Sequence, residues 1–131
     1  MKEKAARAFH EAQFLAQHAE QLPVVKEGYD GAANRIYYAL RHAIIAALEA
    51  RKLRPEQFPD TEGKTHDRWK HAVVLIACKE VLPSQHLWSV GEALALRVQA
   101  DYRRDPVEAE DFYRISLLVD EMLTILGIPE E

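Results

Sequence analysis

The stretch Ala33-Asn34-Arg35-Ile36-Tyr37-Tyr38-Ala39-Leu40-Arg41-His42-Ala43-Ile44-Ile45-Ala46-Ala47-Leu48 decides how this chain folds. Set out at about 100° per residue, Ala33, Ile36, Tyr37, Leu40, Ala43, Ile44, Ala47 and Leu48 gather on one side, which predicts an amphipathic helix lying on a core. Nearly opposite stand Arg35, His42 and Glu49, one every seven residues, flanked by Tyr38, Ala39, Ile45 and Ala46. A solvated face would be mostly Lys, Glu and Gln. This one mixes ionisable groups with small and aromatic ones, which suits a partner surface or a pocket wall.

The same periodicity extends in both directions and predicts five helices with no strand. The first runs from about Glu3 to Leu22, with Ala5, Ala8, Phe9, Ala12, Leu15, Ala16 and Ala19 at helical spacing before Pro23. Asp30 is the expected N-cap of the second, which reaches about Lys52. Pro55, Pro59 and Gly63 mark the longest loop. Thr65 caps the expected third helix, ending near Leu82-Pro83, and Ser84 caps a fourth that ends around Tyr102. Asp105-Pro106-Val107-Glu108 reads as a capping box opening the fifth. That helix carries Phe112, Ile115, Leu118, Val119, Met122, Leu123 and Leu126 and stops at Gly127. Long helices on short links give an all-α, antiparallel up-and-down bundle. Residues 1–131 contain no repeat or composition break and read as a single domain.

Composition narrows the function classes. The net charge of −4 argues against tracking along DNA or any long nucleic-acid backbone, although a local basic pocket for one or two phosphates is compatible with it. No apolar run approaches the ~18 residues of a membrane span, and the N-terminus is amphipathic, so no membrane association and a cytoplasmic setting are expected. The single cysteine, Cys78, sits in an apolar run and reads as a buried thiol of a reducing compartment. His66 and His71 do not share a helix face, and Cys78 adds no ligand spacing, so no metal site is expected. There is no Gly-rich phosphate loop, nucleophile elbow or paired-carboxylate signature, and no cofactor is expected. Trp69 and Trp88 read as core or interface anchors.

Two blocks carry a resemblance. Asn34, Arg35, Tyr37, Tyr38, Ala39 and His42 stand in the order Asn-Arg-x-Tyr-Tyr-Ala-x-x-His, and Arg97 is followed by Ala100-Asp101-Tyr102. Together they resemble the HEPN family of small prokaryotic helical proteins, whose RNase signature is an Arg, four to six intervening residues, and a His. Arg35 and His42 satisfy that spacing with six. Arg41 departs from the pattern, which usually has a large apolar residue before the His. The resemblance implies a HEPN-like bundle, a homodimer, and a metal-independent endoribonuclease, the toxin of a two-gene toxin–antitoxin or defence module. It equally accommodates a non-catalytic subunit that binds a nucleotide or substrate for a partner minimal nucleotidyltransferase.

Metal-independent RNA cleavage needs a base for the 2′-hydroxyl proton, a cation on the phosphate and a proton for the leaving oxygen. His42 is the expected general base or acid, because imidazole titrates near neutrality. Arg35 is the expected phosphate clamp, a permanent cation that forks onto two oxygens. Tyr38, Arg41, Asp101 and Tyr102 are the expected substrate-binding residues around them. Two turns of helix put Arg35 and His42 about 10.5 Å apart along the axis. The sequence therefore predicts a composite site between two copies, with Ala39 and Ala46 letting the second copy's helix approach.

Overall fold

In a computed structural model that describes residues 2–21, 28–102 and 105–129, the chain is an all-α bundle. The described residues form five α-helices: α1 (Lys2–Gln21), α2 (Gly28–Ala50), α3 (His71–Ala77), α4 (Leu87–Tyr102) and α5 (Ala109–Ile125). Short 3-10 turns sit at Pro55–Gln57, Cys78–Glu80 and Ser84–His86, and the described residues contain no strand.

The core forms where the stripe on α2 meets its neighbours. Ala33, Ile36, Tyr37, Leu40, Ala43, Ile44 and Leu48 are buried and Ala47 is half-buried, so the expected register is the observed one. From α5, Phe112, Ile115, Val119, Met122 and Leu123 join them, followed by Leu126 just past its end, with Leu118 half-buried.

Helix α1 brings an alanine face (Ala5, Ala8, Ala12, Ala16, Ala19), all of it buried. Such small side chains let two helix axes come close. Residue pairs give its direction: Leu15 lies against Gly31, Glu11 beside Arg35, and Lys4 in one groove with His42. Numbers fall along one helix as they rise along the other, so α1 and α2 are antiparallel. Asn34 with Asp101 and Tyr38 with Arg97 set α4 antiparallel to α2 by the same logic.

That packing corrects one expectation. Ala39 is fully buried within the single chain, on the side of α2 that α1 covers, and Ile45 is buried with it. The helix that approaches over Ala39 is the chain's own α1, so the small residues there no longer argue for a second copy.

Several boundaries also differ. Asp30 is not a cap: it lies inside the first turn of α2, and its Oδ1 accepts the Val107 N–H at 3.0 Å, closing the joint before α5. Thr65 caps nothing. The third helix starts only at His71 and has seven residues, because residues 51–70 form a long loop with side-chain anchors of its own. Asp60 organises it, accepting the N–H groups of Glu62 and Lys64 at 2.9 Å and facing His66 Nε2 at 2.9 Å. Pro83 rather than Ser84 precedes the turn that leads into α4. Glu108, not Asp105, is the N-cap of α5, and it makes no side-chain cap bond. Gly127 does end the last helix, with φ +75°. Trp69 is half-buried against Phe58, whereas Trp88 is 80% exposed.

Candidate functional site

Helical spacing on α2 brings Arg35, Tyr38 and His42 to one edge of the helix, and the antiparallel α1 supplies the opposite wall from Lys4, Arg7, Ala8 and Glu11. Between them runs an open groove of about 200 Å³. The expected pair, Arg35 and His42, therefore shares one depression within a single chain.

Tyr38 is the centre of this arrangement. The guanidinium carbons of Arg35 and Arg97 each lie 5.8 Å from its ring centroid, and the His42 ring is 5.9 Å away at 31°. Each such cation–ring contact contributes about 0.5–1 kcal/mol at a partly exposed site. Tyr38 thus links α2 to α4 and fixes where the Arg35 head can go.

Burial holds the His42 pKa below its ordinary value, and the neighbouring charges of Arg41, Lys4 and Arg35 push it further the same way. Imidazole in these surroundings is neutral at pH 7 and can accept a proton. Its Nδ1 is buried without a hydrogen-bond partner. Arg35 carries a partner already: its Nε lies 3.5 Å from Glu11 Oε2, with both side chains about half exposed. An exposed pair of this kind contributes little stability and is readily exchanged for another anion.

The expected substrate-binding residues divide. Tyr38 lines the groove. Arg41 does not: its Nη2 donates to the Trp69 carbonyl, anchoring the end of the long loop, while its Nε is buried and unpartnered. Asp101 accepts from Asn34 Nδ2 at 3.2 Å, and Arg97 Nε lies 3.2 Å from its Oδ2. It therefore holds Arg97 against Tyr38 and does not face the groove lining. Tyr102 is 75% exposed at the end of α4 and does not line the groove.

A second polar cluster lies behind Tyr38. The Tyr37 hydroxyl is 2.7 Å from His71 Nδ1, and Arg97 Nη1 is 3.5 Å from His71 Nε2. Guanidinium can only donate, so Nε2 must accept and the ring proton must sit on Nδ1, donating to the Tyr37 oxygen. The His71 pKa is lowered by burial and then by Arg97 and Arg41, which agrees with that neutral form. Burial pushes the Tyr37 hydroxyl up to about 12.

Lys4, Arg7 and Glu11 were absent from the expected site. Their signal was present as positions three, four and seven apart on one stripe of α1, but that stripe acquires meaning only once α1 is known to cover Arg35 and His42. From the sequence His71 reads only against a metal-ligand pattern; its link to Tyr37 spans 34 residues and leaves no local trace. Among the described residues no His, Cys, Asp and Glu cluster could hold a metal ion, and no helix is long and apolar enough to cross a membrane. Comparison with known proteins finds no match to any protein-family model, curated protein or solved structure.

Proposed function

We propose that the groove between α1 and α2 binds an RNA phosphodiester and that the protein is a HEPN-type, metal-independent endoribonuclease, the toxin of a two-gene module. One observation carries this reading. Lys4, Arg7 and Arg35 converge beside neutral His42 on one groove whose lining holds a single carboxylate, Glu11, in a chain whose net charge is −4. Cations gathered against the overall charge mark a place for an anion.

In the proposed reaction the RNA 2′-oxygen attacks the adjacent phosphorus and the 5′-oxygen leaves with a proton from solvent. The products are a 2′,3′-cyclic phosphate and a 5′-hydroxyl. Neutral His42 takes the 2′-hydroxyl proton. Arg35, released from Glu11, and Lys4 stabilise the charge that builds on the phosphoryl oxygens. Homodimer formation, a nucleotidyltransferase or other antitoxin as partner, and a cytoplasmic setting belong to the same proposal.

The test is RNA cleavage in EDTA by wild type, His42→Ala and Arg35→Ala. Cleavage to cyclic phosphate by wild type alone, with both variants folded, supports the nuclease. A second reading draws on Arg35 being paired with Glu11 and Arg41 being turned to the Trp69 carbonyl. In it the groove binds a nucleotide for a partner nucleotidyltransferase without cutting RNA. Inert wild type that still binds a nucleotide in an Arg35-dependent way selects that reading.

A further inference from the structure

Helices α1 and α5 both pack on α2. They run antiparallel beside each other, since Glu20 meets Tyr113, Gln13 meets Ser116 and Lys2 reaches Gly127. Side chains do not fill the seam between them. Beside the Gln13–Ser116 bridge it opens into a cavity of about 260 Å³, bordered by α1, α5 and the residues that follow α5. This cavity shares no lining residue with the α1–α2 groove.

Its polar lining is rich in acceptors. Among the described lining residues Asp120 is the only acid, and none is Lys or Arg. The Asp120 carboxylate makes no hydrogen bond or ion pair with any described residue. Gln13 donates from its amide nitrogen to Ser116 Oγ at 2.9 Å and keeps an unpartnered carbonyl oxygen. The Thr124 hydroxyl donates to the Asp120 main-chain carbonyl at 3.1 Å, so its own oxygen is left to accept. His10 adds a ring whose nitrogens can serve either way.

We propose that this cavity binds a small primary amine carried on an apolar, single-ring body. An ammonium brings a positive charge and three donors with no acceptor, the complement of a carboxylate, an amide oxygen and a hydroxyl oxygen. Ala6, Phe9, Leu123, Ile128 and Pro129 form the rest of the wall and call for an apolar body. A bare metal ion would find too few oxygen ligands among them.

Charge rules out the opposite ligand. An acid placed here would face Asp120 with no guanidinium or ammonium in the lining to offset it. Lys2 lies against Gly127, outside the lining, and the sequence runs on from Pro129 into Glu130 and Glu131. Size sets the other limit. The volume falls just below the ~300–1,000 Å³ of clefts that take drug-sized ligands, which leaves room for one ring and a short chain. Leu117 and Tyr113 border a neighbouring recess that shares Phe9, Gln13 and Asp120, so a longer apolar arm has a place to continue.

Methyl-detected NMR titration of the full chain with 2-phenylethylamine tests this, with 2-phenylethanol and 3-phenylpropionate as neutral and anionic counterparts. The amine is expected to shift the methyl signals of Ala6, Leu123, Thr124 and Ile128, with a Kd on the order of 1 mM for so few atoms. The alcohol is expected to bind at least ~10-fold more weakly and the acid more weakly still. Asp120→Asn keeps the shape at an exposed position and is expected to bring the amine down to the level of the alcohol. Thr124→Trp, also at an exposed position, is expected to fill the cavity and abolish binding of both. No shift at these methyls with about 10 mM amine overturns the proposal. So does an alcohol or acid that binds as tightly as the amine, or a preference for the amine that survives Asp120→Asn.

Discussion

The Tyr37 hydroxyl and His71 Nδ1, 2.7 Å apart and 34 residues distant in sequence, tie α2 to the first residue of α3. The contact sits between a fully packed tyrosine ring and a half-buried imidazole whose other nitrogen faces Arg97. Its cost of removal is therefore that of an orphaned polar group. Tyr37→Phe leaves the Nδ1 proton unpaired, and we expect about 1–3 kcal/mol of destabilisation in urea unfolding. A change near zero would mean that water satisfies the imidazole instead.

Three groups with shifted pKa values, His42, His71 and Tyr37, bear on the pH dependence. The pKa values of His42 and His71 are held below the ordinary 6.5, so the fold favours their neutral forms. That contribution is present above pH 6.5 and is lost as the pH falls through the lower folded-state values. Tyr37 moves the other way, from 10.0 to about 12, and its contribution is present below pH 10 and lost as the pH rises toward 12. Urea midpoints should therefore fall on both sides of a neutral plateau. Replacing His71 with Gln should shrink the acid limb, and an unchanged limb in that variant would assign it elsewhere.

Leu40 is fully buried at the centre of the α2 stripe. Leu40→Ala should cost about 2–5 kcal/mol as a cavity in the core. Calorimetry or denaturant unfolding would register it as a lowered midpoint with an unchanged m-value, whereas a loss under 1 kcal/mol would contradict tight packing there.

Glu11→Gln removes the carboxylate that pairs with Arg35. Stability should change by no more than about 1 kcal/mol, because both groups are half exposed. Binding of inorganic phosphate or a short RNA, followed by titration calorimetry at low salt, should tighten. Weaker binding in this variant would show that Glu11 positions Arg35 for the ligand and does not compete with it.

The bundle was legible because its signals are local and repeated. The α2 stripe and the α5 stripe each span four turns, and propensity and burial agree along both. The third helix was not legible. Thr65 has capping chemistry, yet the backbone there is committed to the turn that Asp60 organises, a preference set by contacts four to six residues apart. Half of the candidate groove was readable as a face of α2 carrying Arg35, Tyr38 and His42. The α1 half was hidden because the same alanines that allow a second copy to approach also allow the chain's own first helix to do so, and nothing in one helix distinguishes the two. Arg41 shows the same limit from the other side. Its place beside His42 in sequence says nothing of the Trp69 carbonyl that captures it.

The close pairing of α1 with α2 bears on how the chain reaches its fold. These two helices are consecutive and share the most extensive helix–helix interface in the molecule, while α5 meets α2 from at least 59 residues further along the chain. Bringing neighbours together loses less chain entropy than closing the longer loop, so the α1–α2 hairpin should condense first and α5 should dock afterwards. In stopped-flow refolding, Ala12→Gly should then slow the folding arm. Val119→Ala should chiefly speed the unfolding arm. Equal effects of both substitutions on the folding arm would point instead to a nucleus that already includes the C-terminal helix.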